Sequence, residues 1–149
     1  MSESSSKKDS ISRVLENVPL DADSSASYFT SRLAYETDAS DVYADLRNGI
    51  AGIIVVDART PQAYARGHIP GAVNLPYRKI DSSITNRIPK DTIVVTYCDG
   101  VFCNASTKAA ARFSSLGFRV KEMLDGLEGW KKEGFPVEES VLSLSTTTT

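Results

Sequence analysis

Short apolar runs alternate with amphipathic stretches through the middle of the chain. Residues 53–56 (IIVV) and 92–97 (TIVVTY) are rich in β-branched side chains without alternation, which is typical of strands buried on both faces. Shorter runs at 72–75 and 118–124 predict two further strands. Because helical patterns separate these strands, the sequence predicts an α/β fold with a mainly parallel central sheet of about five strands and helices on both faces.

The predicted helices are delimited by residues that favour helix ends. Glycines at positions 49, 67 and 117 follow apolar side chains at helical spacing and mark predicted ends. A weak helix or turn is expected over residues 77–83. The second helix carries an apolar stripe formed by Tyr28, Phe29, Leu33 and Tyr35. The predicted starts are, in chain order, Ser10, Ser24 or Ser25, Asp38, Thr60 and Ala105, with a last short helix around Trp130.

Composition limits the classes of function that fit this pattern. The 149 residues are 41% hydrophobic and 24% charged, an ordinary mixture for one globular domain. Seventeen basic and nineteen acidic residues give a net charge of -2, so we expect neither a nucleic-acid partner nor a membrane partner. Two Cys and one His are too few for a four-ligand zinc site, and no metal site is expected.

Both ends of the chain are polar. Residues 1–10 are Ser-rich and lack the apolar region of a secretory signal, and the last seven residues (SLSTTTT) are typical of a loose tail. We therefore expect disorder at both ends and a cytoplasmic location. A reducing compartment would keep the two Cys as thiols.

Cys98 has the position that thiol chemistry requires. It follows the predicted strand at 92–97 directly and begins a loop that leads into a helix. In open α/β sheets the reactive groups lie at the carboxyl ends of the strands, and a helix N-terminus favours a thiolate. Cys98 is therefore the first choice for a nucleophile. Cys103, in the same loop, is the second choice or a resolving thiol.

Four other residues are candidates for a structural or a functional role. The only His, His68, lies in a Gly/Pro-rich turn before a strand, and we expect a structural role at the sheet end opposite Cys98. A Cys–His dyad is therefore not expected. Asp57 and Arg59 follow a buried strand, where they could contact substrate or form an ion pair that fixes the loop. Trp130 is expected to anchor a helix on the sheet.

Two long motifs resemble signatures of the rhodanese-like domain family. Residues 57–76 (DARTPQAYARGHIPGAVNLP) resemble the first signature, and 126–137 (GLEGWKKEGFPV) resemble the C-terminal one. Residues 94–98 resemble the strand that ends in the family's catalytic Cys. The resemblance implies an N-terminal extension over 1–21, partly disordered, a rhodanese-like domain over 22–138 and a disordered tail over 139–149.

The resemblance also implies a sulfurtransferase that carries sulfane sulfur as a persulfide on Cys98 and needs no cofactor. The implied partners are a small sulfur donor or a protein persulfide donor, and a thiol acceptor. Loop amides and the helix end would hold the negative charge of the persulfide. The implied substrate-binding loop comprises Asp99, Gly100, Val101, Phe102, Asn104, Ala105 and Ser106.

The loop departs from the family pattern. Ala105 stands near the position of the family's Arg, and Asp99 is the one charged side chain from residue 98 to 107. Binding of the thiosulfate dianion would then depend on backbone amides alone, so a persulfide or protein donor is expected at least as readily as thiosulfate. The alternative is a non-catalytic or redox-sensing module with a disulfide between the two Cys. Two weaker alternatives are an arsenate reductase, with Cys103 as the resolving thiol, and a phosphatase. A phosphatase of this kind needs an Arg six residues after its Cys, but the residue six after Cys98 is Asn104.

Overall fold

The computed structural model describes residues 10–141. The chain divides into two compact units, with the boundary between Leu33 and Ala34. The first unit contains a 3-10 turn (Val14–Glu16) and most of helix α1 (Ala22–Tyr35). The predicted cap of α1 was wrong, because the carboxylate of Asp21 accepts the hydrogen bond from the amide of Ser24 at 3.0 Å. The predicted apolar stripe lies on α1, and its side chains are exposed. In the 3-10 turn, the Ser12 hydroxyl accepts from the amide of Leu15 at 3.1 Å.

The second unit is built on a five-stranded parallel sheet of order β1-β5-β4-β2-β3. This confirms the predicted α/β fold. The edge strand β1 was not predicted, because two residues are too few to show a pattern. The strands are β1 (Glu36–Thr37), β2 (Ile53–Asp57), β3 (Val73–Asn74), β4 (Ile93–Tyr97) and β5 (Arg119–Met123).

The helices of this unit begin at the side chains that the sequence indicates. Asp38 and Thr60 cap α2 and α3 by accepting backbone amides at 2.9 and 3.2 Å. Gly117 follows α5 with a φ of 93°, as expected of a helix stop. The weak helix expected near residue 80 is a 3-10 turn followed by a short helix. The elements are α2 (Ala39–Arg47), α3 (Pro61–Arg66), a 3-10 turn (Tyr77–Lys79), α4 (Ser82–Thr85), α5 (Ala105–Ser115) and α6 (Gly126–Lys132).

Each face of the sheet carries its own apolar cluster. Side chains of α2 and α6 cover one face, where Trp130 is 1% exposed and its indole donates to the carbonyl of Pro136 at 2.7 Å. Phe113 of α5 and Phe118 cover the other face. Burying an aromatic side chain of this size contributes roughly 3 kcal/mol. The central strand β4 is thus fixed between two packed layers, and its carboxyl end is a rigid support for the loop that follows.

The two chain ends lie mostly beyond the described part of the structure. The disorder predicted for residues 1–9 and 142–149 falls outside the described residues. Of the tail predicted over 139–149, residues 139–141 are described, and the amide of Ser140 donates to the carbonyl of Ala65 at 3.0 Å. Across residues 10–141, no helix has the length and apolar character of a membrane span.

Candidate active site

Cys98 lies where β4 ends and a loop of residues 98–104 begins. The side chain is 1% exposed, and the sulfur lies 3.3 Å from both the hydroxyl of Ser106 and the carbonyl oxygen of Cys103, so its one proton can be donated to either. Ser106 belongs to the first turn of α5, so the sulfur contacts the N-terminal end of this helix. The loop therefore covers the thiol while the helix end supports it.

Helix α6 holds the other side of the loop. Its first amides, those of Leu127 and Glu128, donate to the carbonyls of Cys98 and Asp99 at 2.9 and 2.8 Å. A turn closed by a bond from the Cys103 amide to the Gly100 carbonyl, at 3.1 Å, shapes the loop tip. Backbone contacts at both ends of the loop therefore fix the position of the sulfur.

Gly126 allows this close approach of helix and loop. Its φ is 61°, and a methyl group there would lie 2.6 Å from the Cys98 carbonyl oxygen. We expect Gly126→Ala to cost at least about 2 kcal/mol in the free energy of unfolding, from backbone strain together with displacement of the loop. Urea denaturation measures this cost.

Gly134 provides the matched control for that substitution. Its φ is also positive, at 82°, but nothing lies within 4 Å of an added methyl group. Gly134→Ala should therefore cost only the backbone strain, about 1 kcal/mol. Equal costs for the two variants would show that α6 does not need this close contact with the loop.

Asp57, Arg59 and Tyr97 form a buried network beside the loop. Asp57 is fully buried; it accepts from the Nη2 of Arg59 at 2.7 Å and from the hydroxyl of Tyr97 at 2.6 Å. Arg59 also donates to the carbonyl of Gly67 at 2.7 Å and to the carboxylate of Asp99 at 3.3 Å. Of the two roles foreseen for Asp57 and Arg59, the structure therefore contains the ion pair that fixes the loop.

The network also changes the pKa values of its members. Burial acts against the charge on Arg59, but the hydrogen bonds that it donates to the charged Asp57 outweigh burial and raise the pKa of the guanidinium. Burial and the adjacent Asp57 raise the pKa of Tyr97. Both side chains therefore keep their protons over the whole physiological range, and the network does not titrate through them.

The expected place of His68 was wrong. Strand β3 pairs only with Val56 and Asp57, the last residues of β2, so the turn before β3 lies at the carboxyl end of the sheet. The amide of Ile69 accordingly contacts the hydroxyl of Tyr97, the residue before Cys98.

The contacts of His68 itself agree with a structural role. One ring nitrogen lies 2.8 Å from the carbonyl of Tyr64, and the other lies 3.2 Å from the carboxylate of Glu138. Its ring also stacks on that of Tyr64, with 3.6 Å between the centroids. These contacts hold the turn and leave neither ring nitrogen for the thiol.

The expectation of a favoured thiolate was also wrong for this arrangement of the loop. Burial raises the pKa of the Cys98 thiol, and the hydroxyl and amide of Ser106 offset only part of that effect. Burial is the largest cause because it disfavours the charged thiolate, and the neighbouring Cys103 side chain raises the pKa further. The thiol is therefore the resting form.

Two grooves of opposite character lead to the loop. The acidic groove has a volume of ≈ 540 Å³, and the arginine groove has a volume of ≈ 380 Å³. Cys103 lines both grooves, whereas Cys98 lines neither. The acidic groove is lined by Asp99, Val101, Phe102, Cys103, Asn104, Thr107, Glu122 and Leu124. The arginine groove is lined by Ala58, Arg59, Thr60, Ala63, Pro76, Tyr77, Arg78, Asp99, Cys103 and Ala105.

The predicted loop residues divide between these surfaces. Val101 and Phe102 are 75% and 71% exposed at the loop tip, and Gly100 is buried beneath them. Asp99 and Asn104 are exposed at the two ends of the loop, and both line the acidic groove. Ala105 lines the arginine groove, and Ser106 is buried against the thiol.

Sequence reasoning missed Glu122, a half-buried residue of β5. Its carboxylate accepts from the hydroxyls of Ser106 and Thr107 at 2.6 and 2.7 Å. A single charged residue in a mixed strand pattern gives no sign of this contact. Only the pairing of β5 beside β4 brings it to the loop.

A comparison with known families agrees with this architecture. The family model of the rhodanese-like domain matches residues 38–133. The chain belongs to the rhodanese-like family. The crystal structure of the BH2092 protein from Bacillus halodurans is similar, with a TM-score of 0.78. The two sequences are 44% identical, and the match covers 80% of this chain and 87% of that one.

Two curated relatives of this rhodanese-like domain carry functional names. The thiosulfate sulfurtransferase GlpE of Pseudomonas entomophila is 40% identical over 82 residues, which are 54% of this chain and 72% of that protein. The HTH-type transcriptional regulator Rv0324 of Mycobacterium tuberculosis is 35% identical over 95 residues, 63% of this chain. The rhodanese-like domain spans only 42% of that regulator's length.

Within residues 10–141, the cations near the loop are engaged by other side chains, and Arg78 of the arginine groove donates to the hydroxyl of Tyr77 at 3.1 Å. Lys108 is the nearest cation along the sequence, and its ammonium lies 5.0 Å from the centroid of the Tyr77 ring. The guanidinium of Arg59 is engaged by Asp57 and Asp99. No group of acidic, His and Cys residues within 10–141 is arranged to hold a metal ion.

Proposed function

We propose that this rhodanese-like domain is a sulfurtransferase that carries sulfane sulfur as a persulfide on Cys98. One observation carries the proposal: the thiol at the end of the central strand contacts Ser106 in the first turn of α5, at 3.3 Å. The positive end of a helix and its free amides stabilise an anionic sulfur. The curated name of the GlpE relative supports the same reaction class.

The reaction proceeds in two steps, uptake of sulfur from the donor and its transfer to the acceptor. The thiolate of Cys98 attacks the outer sulfur of the donor, the bond between that sulfur and the donor breaks, and its electron pair leaves with the donor. An acceptor thiolate then attacks the terminal sulfur of the persulfide, which gives an acceptor persulfide and restores the Cys98 thiolate. Because Cys98 is covered by the Cys103 carbonyl, the first step requires this hydrogen bond to break.

The charges around the loop favour a persulfide over thiosulfate as donor. Thiosulfate is a dianion, and the acidic groove places Asp99 and Glu122 near its path. The cation nearest to the loop, Arg59, is already paired. A low-molecular-weight persulfide or a protein persulfide carries less charge and is the donor class that we propose.

Intact-mass measurement tests this function directly. The full chain is incubated with thiosulfate in one sample and with a low-molecular-weight persulfide in another. We expect a gain of one sulfur atom, more complete with the persulfide, that a thiol acceptor removes. No gain from either donor would contradict the proposal.

A redox-sensing role is the second candidate, and the position of the two Cys favours it. Both are free thiols in one loop, five residues apart along the chain. An oxidant such as a peroxide would couple them to a disulfide with loss of two electrons and two protons. A loss of two hydrogens in the intact mass, reversed by dithiothreitol, would support this role.

A further inference from the structure

A chain of hydrogen bonds links Cys98 to a carboxylate on the neighbouring strand. The Cys98 thiol donates to the hydroxyl of Ser106 at 3.3 Å, and this hydroxyl donates to Glu122 at 2.6 Å. Ser106 is 2% exposed, whereas Glu122 is half-buried and lines the acidic groove. The reacting sulfur is thus coupled, through one buried hydroxyl, to a charged group at the surface.

The direction of this chain follows from the number of protons available. A hydroxyl has one proton to donate, and an ionised carboxylate can only accept. While Glu122 is ionised, the proton of Ser106 points to it, and Ser106 can only accept from the sulfur. With its proton donated to Glu122, the hydroxyl cannot donate to a thiolate, so the sulfur is denied the stabilisation that a proton from Ser106 would give it.

We propose that Glu122 is a positioning residue that holds Cys98 in its resting thiol form by fixing the direction of the Ser106 hydroxyl, until a cationic group on the sulfur partner neutralises the carboxylate. Pairing with that cation weakens the bond from Ser106 to the carboxylate, so the hydroxyl can turn to the sulfur; the thiol releases its own proton to solvent, and the thiolate that remains accepts from Ser106. The inference rests on the proposed function only in taking Cys98 as the reacting thiol.

Other charged groups lie on the elements that carry these hydrogen bonds or adjoin them, and the test must separate their effects from that of Glu122. Glu36 is the register partner of Glu122, so a second carboxylate lies beside it in the sheet. Asp99 is held in an ion pair by Arg59. The charged and titratable groups are, by element, Glu36 on β1, Asp99 and Cys103 in the loop, Lys108 on α5, Lys121 on β5 and Glu128 on α6.

The pH dependence of alkylation measures the ionisation of Cys98 without any sulfur transfer. The full chain with Cys103→Ser leaves Cys98 as its one thiol for iodoacetamide. We expect Glu122→Gln to lower the midpoint pH of alkylation by about one unit, because the glutamine amide can donate to Ser106. The rate below the midpoint should then rise about tenfold.

Two comparisons separate the hydrogen bond from a general charge effect. Glu128→Gln removes the same charge from a neighbouring element that does not contact Ser106, and its midpoint should shift far less. In a Ser106→Ala background, Glu122→Gln should lose most of its effect, because the link between carboxylate and sulfur is gone. An equal shift in both backgrounds would mean that Glu122 acts through space, and this would overturn the proposal.

Charged reagents test the part played by the sulfur partner. A cationic methanethiosulfonate should modify Cys98 about tenfold faster than an anionic one, and Glu122→Gln should reduce this ratio. A ratio that does not change in the variant would overturn the requirement for a cationic partner. An unchanged or raised midpoint in Glu122→Gln would overturn the positioning role, whether or not the protein transfers sulfur.

Discussion

Replacing Cys98 by serine is expected to lower sulfur transfer by roughly a thousandfold or more, because removal of a covalent nucleophile eliminates the main reaction path. Serine is close in size, and its one proton can likewise be donated to Ser106 or to the Cys103 carbonyl, which both lie 3.3 Å from the sulfur. The fold should therefore survive, and the loss should appear in turnover. Release of sulfite or of the donor thiol, with an acceptor thiol in excess, measures it.

Cys103→Ser is the matched variant for this experiment. The bond that covers the Cys98 sulfur comes from the backbone carbonyl of residue 103, so the substitution leaves it in place. We expect less than about a tenfold loss of turnover, and the sulfur adduct should remain on Cys98. The reverse result, an adduct lost in Cys103→Ser and kept in Cys98→Ser, would assign the persulfide to Cys103.

The comparison of the two variants is informative because the two Cys differ in their accessibility to a donor. Cys103 lines both grooves, whereas Cys98 is 1% exposed beneath the loop. Accessibility alone would favour Cys103, and contact with the end of α5 favours Cys98. The proposed chemistry therefore needs the loop to move before the donor arrives. The exposed Val101 and Phe102 at the tip could make that movement with little loss of packing.

Local patterns in the sequence predict most of the elements that support the site. The β-branched runs at β2 and β4 and the caps at Asp38 and Thr60 involve residues close in sequence, and these predictions are confirmed. The segment of strand, loop and helix that positions Cys98 is also formed by residues close in sequence, so the sequence predicts it as well. The two-residue strand β1 was missed because a strand that short has no periodicity.

The errors arise where the outcome depends on strand register or burial. His68 was expected at the far end of the sheet because it precedes a strand, but β3 pairs only with the last residues of β2. The Ser106–Glu122 bond joins residues sixteen apart, from a helix to a strand. The raised pKa of Cys98 depends on how deeply the sulfur is buried, which tertiary packing decides. No pattern in the sequence specifies these three features.

Arg59→Ala is expected to destabilise the fold by about 3–5 kcal/mol, because it leaves the fully buried Asp57 carboxylate without its cation. The side chain also donates to the carbonyl of Gly67 and to Asp99, so the turn before β3 and the loop would lose a shared support. This cost is a large part of the roughly 5–15 kcal/mol available to a domain. Urea denaturation, followed by tryptophan fluorescence, measures it.

Arg66→Ala is the control, because Arg66 is an exposed residue of the same type at the end of α3. Its removal should change the free energy of unfolding by no more than about 0.5 kcal/mol. Arg59→Lys should fall between the two, since an ammonium keeps the charge but cannot reproduce the forked bonds to Asp57. If Arg59→Ala costs as little as Arg66→Ala, the ion pair does not hold the loop. The motif that places Arg59 two residues after Asp57 would then have to be explained by contact with substrate in the arginine groove.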